Sequence, residues 1–578
     1  MNNQEIPDNY KIVDLSNLDL DHILLLNKIS VDLIEDFNNL SEIIFKTTNQ
    51  KMVWLFSSVL SRNLNQSNLF LYCCYLILLD KILLENKNIE QIIVPSGGFK
   101  KVLSNYLLSK SFNIIVEDFS NKNCKQKLKD FIWRYFGILY TIHYCWQLFS
   151  TAKSSRKIKI CNTEGAKLID TFILENSIKK GIYIDRNYTG LLDFLEEKEK
   201  DVLFFVPHVL GRYKKSDLQQ IFESSEENIV FKQDFLKLSD YTSSLISILR
   251  MGNINKVSIF FREFDISPIV SEEISVKKYS ALSGLLNFHF IKRLKQGKVD
   301  LGLAVDWFEN QQIDKGFNLG VKTHYPNVRH IGYKGYISTE TFEFYTNPTP
   351  FEVKENLIPD TLGIIGRGYE NSCKKYSCKQ NIQIVGGFRF NNLWKYQRNY
   401  KESMNKKIIL VALPIFIKDS VEILRLVIDV VIKNNFDVLF HLKPHPALNF
   451  KAIKNVFMNN WPNNFLVVEG DFVQSIVNVN MVLGSGTTSC VEPLALGIPV
   501  IIIGSQSNLT INPIPLSINN KIWRLAYTSH ELENYIIHYL SLSQPQIEEL
   551  IVIGHEIKEE YFQQVTDEKV RLFLNLNS

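Results

Sequence analysis

The sequence has little charge imbalance and no paired cysteine motif. Its 65 Lys and Arg residues nearly balance 61 Asp and Glu residues, which leaves a net charge of +4 over 578 residues. Because nucleic-acid-binding proteins concentrate basic residues, this composition predicts no nucleic-acid partner. The eight cysteines show no CxxC spacing, and the opening MNNQEIPDNY lacks the basic and apolar regions of a signal peptide. We therefore expect reduced thiols and a cytoplasmic protein.

Long apolar runs are also scarce. LFLYCCYLILL at 69–79 is too short to span a membrane, and FIWRYFGILYTIHYCWQLF at 131–149 is long enough but contains Arg134 and His143. Both runs predict buried helices. The basic stretch NKNCKQKLKD at 121–130 leaves a peripheral contact with the inner face of the membrane open as an alternative.

Metal-binding patterns are missing as well. No DxD-type motif for a diphosphate-bound metal stands in a suitable context, and no His/Cys cluster has metal-ligand spacing. We therefore expect no metal and no other cofactor.

The N-terminal half has an α/β pattern with added helices. Residues 1–90 have helical periodicity, and then QIIV, the loop PSGG, a helix and NIIVED predict a βαβ unit over 91–118. Further strands are predicted at 157–161, 181–185, 201–207, 257–261 and 299–306.

The C-terminal half alternates strands and helices more regularly. Its predicted strands are KIILVALP, FDVLFHLKP, NFLVVEG, NMVLGSG and PVIIIG, which indicates a doubly wound parallel sheet. A polar stretch near 395–405 places the domain boundary, giving domains 1–400 and 401–578. The predicted fold class is α/β, with two Rossmann-like domains facing across a cleft and extra helices in the N-terminal half.

A candidate phosphate-binding loop follows the strand NMVLG. Gly484 ends the strand, Ser485 and Gly486 form a tight turn, and a predicted helix begins at Thr487, Thr488 and Ser489. Glycines allow close backbone approach, and free N–H groups at a helix start favour an anion. The alternative is a capped strand-to-helix turn that binds nothing.

A second candidate loop, HLKPHPALNF, follows the strand FDVLF. Pro444 and Pro446 bracket His445 and fix the loop, while Lys443 brings a cation to the same edge of the sheet. A loop histidine is often structural. Because both loops follow strands of one parallel sheet, they are expected to converge on one crevice.

KPHP and GSGTTSCVEPLALGIPVI together resemble the donor half of GT-B glycosyltransferases that build bacterial surface carbohydrates. They are most similar to the HP-motif sialyltransferase and Kdo-transferase group. The resemblance implies that the phosphate of a CMP-sugar binds at His445, Pro446, Ser485, Thr487, Thr488 and Ser489. It also implies that Glu492 accepts hydrogen bonds from the nucleotide ribose; alternatively, Glu492 is an exposed glutamate that complements the dipole of the helix.

A candidate general base lies in VDWFENQ, after the strand VDLGLAV. Asp306 and Glu309 are expected at a carboxyl edge facing the cleft, where a carboxylate can take the proton of an acceptor hydroxyl. We prefer Glu309, because Asp306 could cap the following turn. The Asp/Glu-Asp/Glu-Gly signature of the sialyltransferase-like families is absent. Other cleft candidates, each better explained by a structural role, are Ser96, Gly97, Gly98, His208 and His324.

The sequence therefore predicts a glycosyltransferase that moves a CMP-activated ulosonic or sialic-type acid from a nucleotide donor to a glycan or lipid-linked glycan acceptor. Three alternatives stay open: a CDP-polyol phosphate transferase of teichoic-acid type, a nucleotide-sugar epimerase, and a non-catalytic GT-B protein that binds carbohydrate or assembles a complex.

Overall fold

A computed structural model describes residues 11–48, 51–118, 137–147, 159–173, 177–179, 182–183, 185–209, 218, 225–251, 257–338, 341, 343–398, 407–434, 437–457 and 461–576. Three parallel sheets organise these residues, with two short antiparallel hairpins beside them.

The first sheet is small and belongs to the N-terminal segment. Its parallel strands are β1 (Ile12–Asp14), β2 (Gln91–Val94) and β3 (Ile115–Asp118), in the order β1-β2-β3. The predicted βαβ unit at 91–118 is confirmed. However, it forms this separate sheet and does not open the larger sheet that follows. The helices of the segment are Leu20–Asp32, Ile34–Thr47, Met52–Leu55, Ser58–Ser61, Leu69–Glu85 and Gly97–Ser109.

The second sheet has seven parallel strands in the order β10-β9-β8-β7-β4-β5-β6. The strands are β4 (Ala166–Ile173), β5 (Leu203–Val209), β6 (Asn228–Ile229), β7 (Leu301–Trp307), β8 (Arg329–Lys334), β9 (Thr361–Ile364) and β10 (Asn381–Ile384). The first strand is central and the chain winds outward on both sides, as in a Rossmann sheet. The helices are Glu197–Asp201, Leu238–Leu249, Ser267–Lys277, Ala281–Gln296, Gln312–His324, Pro350–Lys354 and Glu370–Lys374.

Several strand predictions in this half were wrong. Residues 159–162 of the predicted strand at 157–161 form a 3₁₀ turn, and residues 157–158 lie outside the described part. The predicted strands at 181–185 and 257–261 contribute only to the hairpins Ile178–Lys179 with Ile182–Tyr183, and Phe260–Phe261 with Phe264–Asp265.

The central strand β4 was missed because a carboxylate interrupts its apolar run. Asp170 lies in the middle of β4 and is buried, and it forms an ion pair of 2.8 Å with the equally buried Lys232. A buried charge is tolerated when it is paired in this way. The partner lies 62 residues along the chain, so the strand has no local sequence signal that explains its charge.

The third sheet has six parallel strands in the order β13-β12-β11-β14-β15-β16. They are β11 (Ile408–Leu413), β12 (Leu439–Pro444), β13 (Phe465–Val467), β14 (Met481–Gly484), β15 (Val500–Ile503) and β16 (Trp523–Ala526). This is again the Rossmann order. The helices are Ile417–Asn434, Phe450–Val456, Phe472–Ile476 and Ser529–Leu540. The predicted fold class, α/β with two Rossmann-like sheets, is confirmed.

The last two helices, Gln544–Tyr561 and Asp567–Leu574, return to the seven-stranded sheet. The N–H of Gln563 donates to the carbonyl of Ile365 at 3.0 Å, and Arg571 forms an ion pair of 3.1 Å with Glu199. Helix Gln544–Tyr561 also packs against the six-stranded sheet's loops, since a methyl group on Gly554 would collide with Gly497. The C-terminal helices therefore tie the two large sheets together. The boundary predicted at 395–405 lies largely outside the described residues and stays a prediction.

The two apolar runs have different environments. Residues 69–79 form part of helix Leu69–Glu85 and are largely buried, as predicted. The described part of the second run, residues 137–147, is helical, but it exposes Leu139, Tyr140, Ile142, Tyr144 and Trp146, so the prediction of a buried helix was wrong there. Within the described ranges, no helix is both long and apolar enough to cross a membrane.

A buried carboxylate, Glu352, joins three distant parts of the N-terminal half. Its oxygens contact Arg62 at 2.7 Å and Lys315 at 2.8 Å, and all three side chains are only 1% exposed. The amide of Asn310 also donates to Glu352 at 3.2 Å. Burial raises the pKa of Glu352, but the two cations outweigh this effect and hold the pKa at about 2.

Removing this carboxylate should destabilise the fold strongly. Glu352→Gln leaves the charges of Arg62 and Lys315 buried without a counter-charge, which costs on the order of 3–5 kcal/mol. Denaturant unfolding measures the loss. Glu355→Gln, three residues later and without a buried ion pair in the structure, is the matched control and should change stability by less than about 0.5 kcal/mol. Equal stabilities for the two variants would contradict this role of Glu352.

Candidate functional site

A crevice of about 370 Å³ opens beyond the carboxyl ends of β4 and β7. These two strands are where the seven-stranded sheet reverses its winding direction, which is where ligands bind in open α/β sheets. Its lining contains one carboxylate and two guanidinium groups, those of Glu309, Arg186 and Arg389. The crevice therefore combines a base with two cations at one sheet edge.

Glu309 is held rigidly at this edge. Its carboxylate accepts hydrogen bonds from the indole N–H of Trp307 at 2.9 Å and from the amide of Gln311. Its own N–H donates to the Asp314 carboxylate at 2.9 Å, and that carboxylate also accepts the N–H of Gln311. The half-buried Glu309 carboxylate thus faces the crevice with its orientation fixed.

Asp306 does not face the crevice, which corrects the sequence prediction. It lies inside β7, paired in register with Gly332, and its side chain is fully buried. Burial, together with the negative charges of Asp314 and Asp170, raises the pKa of Asp306 well above its usual value. Asp306 is therefore a group of the sheet interior whose burial and acidic neighbours favour the neutral form.

Arg186 was not predicted from the sequence. The loop that carries it is fixed to the end of β4, because Thr171 donates to the buried Asp185 at 2.7 Å and Asn187 donates to Thr171 at 3.1 Å. Tyr188 closes the loop with a hydrogen bond of 3.2 Å to the carbonyl of Asp170. Arg186 and Arg389 line the same crevice, and partial burial together with the charge of Arg389 lowers the pKa of Arg186. The short hairpin before this loop offers no sequence motif.

Arg389 lies two residues after the glycine pair Gly386–Gly387, which forms the turn that follows β10. Gly386 adopts φ +97°, a conformation that favours glycine, and the N–H of Gly387 donates to the carbonyl of Gln563 at 3.0 Å. Tyr333 donates to the carbonyl of Gly386 at 2.8 Å. This turn presents the exposed Arg389 at the carboxyl edge of the sheet. The strand followed by Gly-Gly and an arginine was a usable signal.

His445 lies at the facing edge of the six-stranded sheet. The backbone N–H of His445 donates to the carbonyl of Leu413 at 3.0 Å. The backbone N–H of Ala447 donates to the ring Nδ1 of His445 at 3.1 Å. Nδ1 is therefore an acceptor, which leaves Nε2 as the donor of the neutral ring. Burial and the charge of Arg186 lower the pKa of His445, which favours the neutral ring. This charge comes from the seven-stranded sheet and acts on a residue of the six-stranded sheet.

The loop at 484–489 departs from the sequence prediction in one respect. The expected helix from Thr487 is instead two short 3₁₀ turns, Thr488–Cys490 and Leu494–Leu496, separated by Pro493. A three-residue turn has little dipole, so charge stabilisation here must come from side chains. Gly486 has φ +63°, and its N–H already donates to the carbonyl of Ile511 at 3.2 Å.

Fewer backbone N–H groups of this loop are open to an anion than the sequence predicted. The backbone N–H of Ser489 donates to the hydroxyl of Thr487. Across the described residues, no hydrogen bond uses the N–H groups of Ser485, Thr487 or Thr488. Gly484 is buried at the end of β14, where a Cβ would meet the sulfur of Cys490. The hydroxyls of residues 485 and 487–489 are half-buried.

His445 and this loop lie at one edge of the sheet on strands that are not neighbours. The strands that carry them, β12 and β14, flank β11, so the ends of these strands lie about two strand spacings, roughly 10 Å, apart. A second cavity of about 360 Å³ touches Ser485 and Gly486 and is closed from the other side by residues 64–71 of the N-terminal segment. The six-stranded sheet therefore also has its crevice at its winding switch, between β11 and β14.

Lys443 is engaged away from this loop. Its ammonium donates to the carbonyl of Gly470 at 2.7 Å, and burial lowers its pKa, partly offset by Asp471 and Glu469. Lys443 shares the sheet edge with His445, but its charge is directed to the loop after β13.

Glu492 is half-buried and not an exposed first-turn residue. Burial raises its pKa to about 8, with Arg389 lowering and Asp471 raising it. Arg389 from the seven-stranded sheet therefore acts on Glu492 of the six-stranded sheet. This is the second electrostatic link across the cleft, after Arg186 and His445.

The other cleft candidates have structural explanations. Ser96 caps helix Gly97–Ser109, and the Glu272 carboxylate accepts from its hydroxyl and from the N–H of Gly98, each at 2.7 Å, so a protein carboxylate fills that turn. His208 lines the crevice, but burial lowers its pKa to about 3, which makes it a weak base. His324 ends helix Gln312–His324, outside the crevice lining.

Metal ligands do not cluster here. Among the side chains that the structure describes, no group of three or more His, Cys, Asp and Glu residues is arranged to hold a metal ion. The expectation that no metal is needed stays a prediction.

No family model and no curated protein matches the chain. Solved structures with some similarity include the co-structure of S. aureus MnaA with UDP, 14% identical, with a TM-score of 0.40 over 71% of this chain and 98% of that one. Another is the Neisseria meningitidis UDP-GlcNAc 2-epimerase bound to UDP-GlcNAc, 12% identical, TM-score 0.39, covering 71% and 98%. A UDP-glucosyltransferase from Polygonum tinctorium is 10% identical, TM-score 0.39, covering 72% and 99%. The fold follows from the strand orders and not from these low scores.

Glu492 should make stability depend on pH. Its pKa rises from 4.5 to about 8 on folding, so the folded protein must ionise a buried group as pH increases. Glu492 therefore lowers the free energy of unfolding by an amount that is small near pH 5 and grows between pH 4.5 and 8. Above pH 8 this loss no longer changes with pH. Glu492→Gln should therefore stabilise the protein by on the order of a few kcal/mol at pH 9 and much less at pH 5.

Thermal unfolding at both pH values measures this effect. Glu556→Gln, at an exposed position of helix Gln544–Tyr561, is the control and should have little effect at either pH. An effect of Glu492→Gln that is the same at pH 5 and pH 9 would show that Glu492 ionises normally in the fold.

Proposed function

We propose that this protein is a nucleotide-sugar-dependent glycosyltransferase whose reaction takes place between the two large sheets. The observation that carries the proposal is the composition of the cleft: a fixed carboxylate, Glu309, beside two arginines that act electrostatically on His445 and Glu492 across it. A base for the acceptor and donors for a leaving phosphate are the two requirements of inverting sugar transfer.

The donor binds on the six-stranded sheet in this proposal. The Nε2–H of His445, the open N–H groups of Thr487 and Thr488 and the surrounding hydroxyls hold the phosphate, and Glu492 accepts from the ribose. Arg186 and Arg389 supply the positive charge that the 3₁₀ turn lacks. Glu492 is protonated up to about pH 8, and hydrogen bonds donated by the ribose hydroxyls favour its ionised form.

The finer proposal is a CMP-activated ulosonic or sialic-type donor. Such a donor carries two separate anions, a phosphodiester and a sugar carboxylate, which suit the 485–489 loop with His445 and the arginine pair, respectively. The same arginine pair also suits the second phosphate of a nucleoside diphosphate, as in a UDP-sugar. The nucleotide is therefore the first quantity to measure.

Glu309 is the proposed general base. Its carboxylate takes the proton of an acceptor hydroxyl in the crevice, while the arginines and His445 stabilise the departing phosphate. The hydrogen bonds from Trp307 and Gln311 fix its orientation without neutralising it. The acceptor is a glycan or lipid-linked glycan of the bacterial surface. The alternative transferase would move a polyol phosphate from a CDP donor and would use the same cations. The product distinguishes the two activities, because only this alternative adds a polyol phosphate to the acceptor.

The nucleotide site is tested by ligand-induced stabilisation. Thermal-shift titration with CMP, CDP, UDP and GDP should show one preferred nucleotide, and the finer proposal expects CMP. His445→Ala should weaken binding of that nucleotide about tenfold to a hundredfold, because a hydrogen bond to a charged phosphate is lost. The control His530→Ala, at an exposed site on helix Ser529–Leu540, should bind normally. Unchanged affinity in His445→Ala would remove His445 from the site.

The general base is tested by separating binding from transfer. Glu309→Gln keeps the shape of the side chain but removes its charge and its capacity to take a proton, so donor affinity should be unchanged while the transfer rate falls by about a hundredfold or more. Asp306→Asn should have a smaller effect, because Asp306 is buried inside β7 and does not line the crevice. Near-normal transfer by Glu309→Gln, with Asp306→Asn inactive, would reverse the assignment.

A further inference from the structure

A mainly apolar cavity lies beside the Glu309 crevice. It has a volume of about 640 Å³, within the range of sites for small organic ligands. Its walls come from helices Leu238–Leu249, Ser267–Lys277 and Ala281–Gln296, with residues 137–147 on one side. Most of the lining surface is apolar, and its apolar and aromatic residues include Leu236, Tyr241, Val276, Tyr279, Leu282 and Leu286.

The cations that line this cavity are already engaged. Lys232 is paired with Asp170 at 2.8 Å, and Lys277 donates to the carbonyl of Gln66 at 2.6 Å. An anionic ligand would therefore compete with internal partners, whereas an apolar ligand gains contact with the walls by leaving water.

The cavity adjoins the Glu309 crevice. Four residues, Gln66, His208, Ser283 and Gln312, line both spaces. A molecule with a polar head at Glu309 can therefore place an attached apolar group in the larger cavity.

An exposed apolar surface adjoins the wall of the cavity that residues 137–147 form. Tyr140 and Tyr144 line it and keep 50% and 36% of their surface exposed, so this wall meets solvent. On the same helical segment, Leu139, Ile142 and Trp146 are 59%, 47% and 61% exposed. A chain longer than the cavity can leave along this surface and remain in apolar contact.

We propose that the acceptor is an amphiphile: its hydroxyl-bearing head lies at Glu309, and its aliphatic chain fills the 640 Å³ cavity and leaves past Tyr140. This inference rests on the proposed function, because it assigns the substrate class of the same crevice. The chain holds the acceptor by burial of methylene groups, while the head determines which hydroxyl reaches the base.

The test uses hexyl, octyl and decyl β-D-glucoside as probes, each below its micelle concentration, with the full-length protein and calorimetric detection. Each buried methylene raises affinity about fourfold, so the dissociation constant should fall on the order of tenfold for every two carbons added. Val276→Trp fills the cavity and should abolish this dependence on chain length. Val552→Trp, the same change at an exposed site on helix Gln544–Tyr561, should behave like the unmodified protein.

A second pair of variants covers the case in which Val276→Trp does not fold. Tyr140→Asp places a charge in the half-exposed wall of the cavity, and the control Leu108→Asp places one at an exposed residue of helix Gly97–Ser109, outside the lining. Only Tyr140→Asp should lower affinity for octyl glucoside, by severalfold.

Equal affinities for the three glucosides, or a chain-length dependence that survives in Val276→Trp and Tyr140→Asp, would overturn the proposal. The second result would mean adsorption to exposed apolar surface. The nucleotide titrations on the same proteins are independent of these probes. Loss of nucleotide binding alone therefore counts against the glycosyltransferase proposal, and loss of chain-length dependence alone counts against the amphiphilic acceptor.

Discussion

The position of the proposed base depends on one buried carboxylate. Glu352 contacts Arg62 from the N-terminal helices and Lys315 from helix Gln312–His324, and it accepts from Asn310, the residue after Glu309. Two buried cations share this one carboxylate, so its removal leaves both of them without a counter-charge. Asn310 adopts φ +55° and donates to the carbonyl of Tyr345 at 2.8 Å, which further fixes the loop that follows β7. The N-terminal helices, which belong to neither large sheet, thus help to hold the candidate catalytic loop.

The two large sheets share one winding order, and this common order creates the cleft. In each sheet the first strand is central, so each has a switch point with open loops at its carboxyl edge. The seven-stranded sheet contributes Glu309 and the two arginines, and the six-stranded sheet contributes His445 and the 485–489 loop. The electrostatic links from Arg186 to His445 and from Arg389 to Glu492 cross between them. Neither sheet alone carries both the base and the full set of phosphate donors.

The elements that periodicity determines were predictable from the sequence. In the six-stranded sheet, strands β11–β15 and the helix Ile417–Asn434 have strong local patterns, and the structure contains them. Local patterns failed where long-range pairing decides the structure. β4 contains Asp170, which only the distant Lys232 compensates, and the segment after Thr487 contains Pro493, which divides the expected helix into 3₁₀ turns.

The candidate site was predictable to a similar degree. His445, Glu309 and the glycine turn were found because each follows a strand, a relation that the sequence preserves. Arg186 was missed because its loop is fixed by tertiary hydrogen bonds to Thr171, and Asp306 was misplaced because β7 extends one residue beyond it. The cation content of the cleft was therefore visible only in three dimensions.

The most direct measurement of the central claim is a crystal structure with the preferred nucleotide bound. The account predicts a phosphate within hydrogen-bond distance of His445 Nε2 or of the N–H groups of Thr487 and Thr488, with Arg186 or Arg389 contacting it from the other sheet. A nucleotide bound away from the cleft, or one that contacts only the six-stranded sheet with Glu309 remote from its sugar, would contradict it.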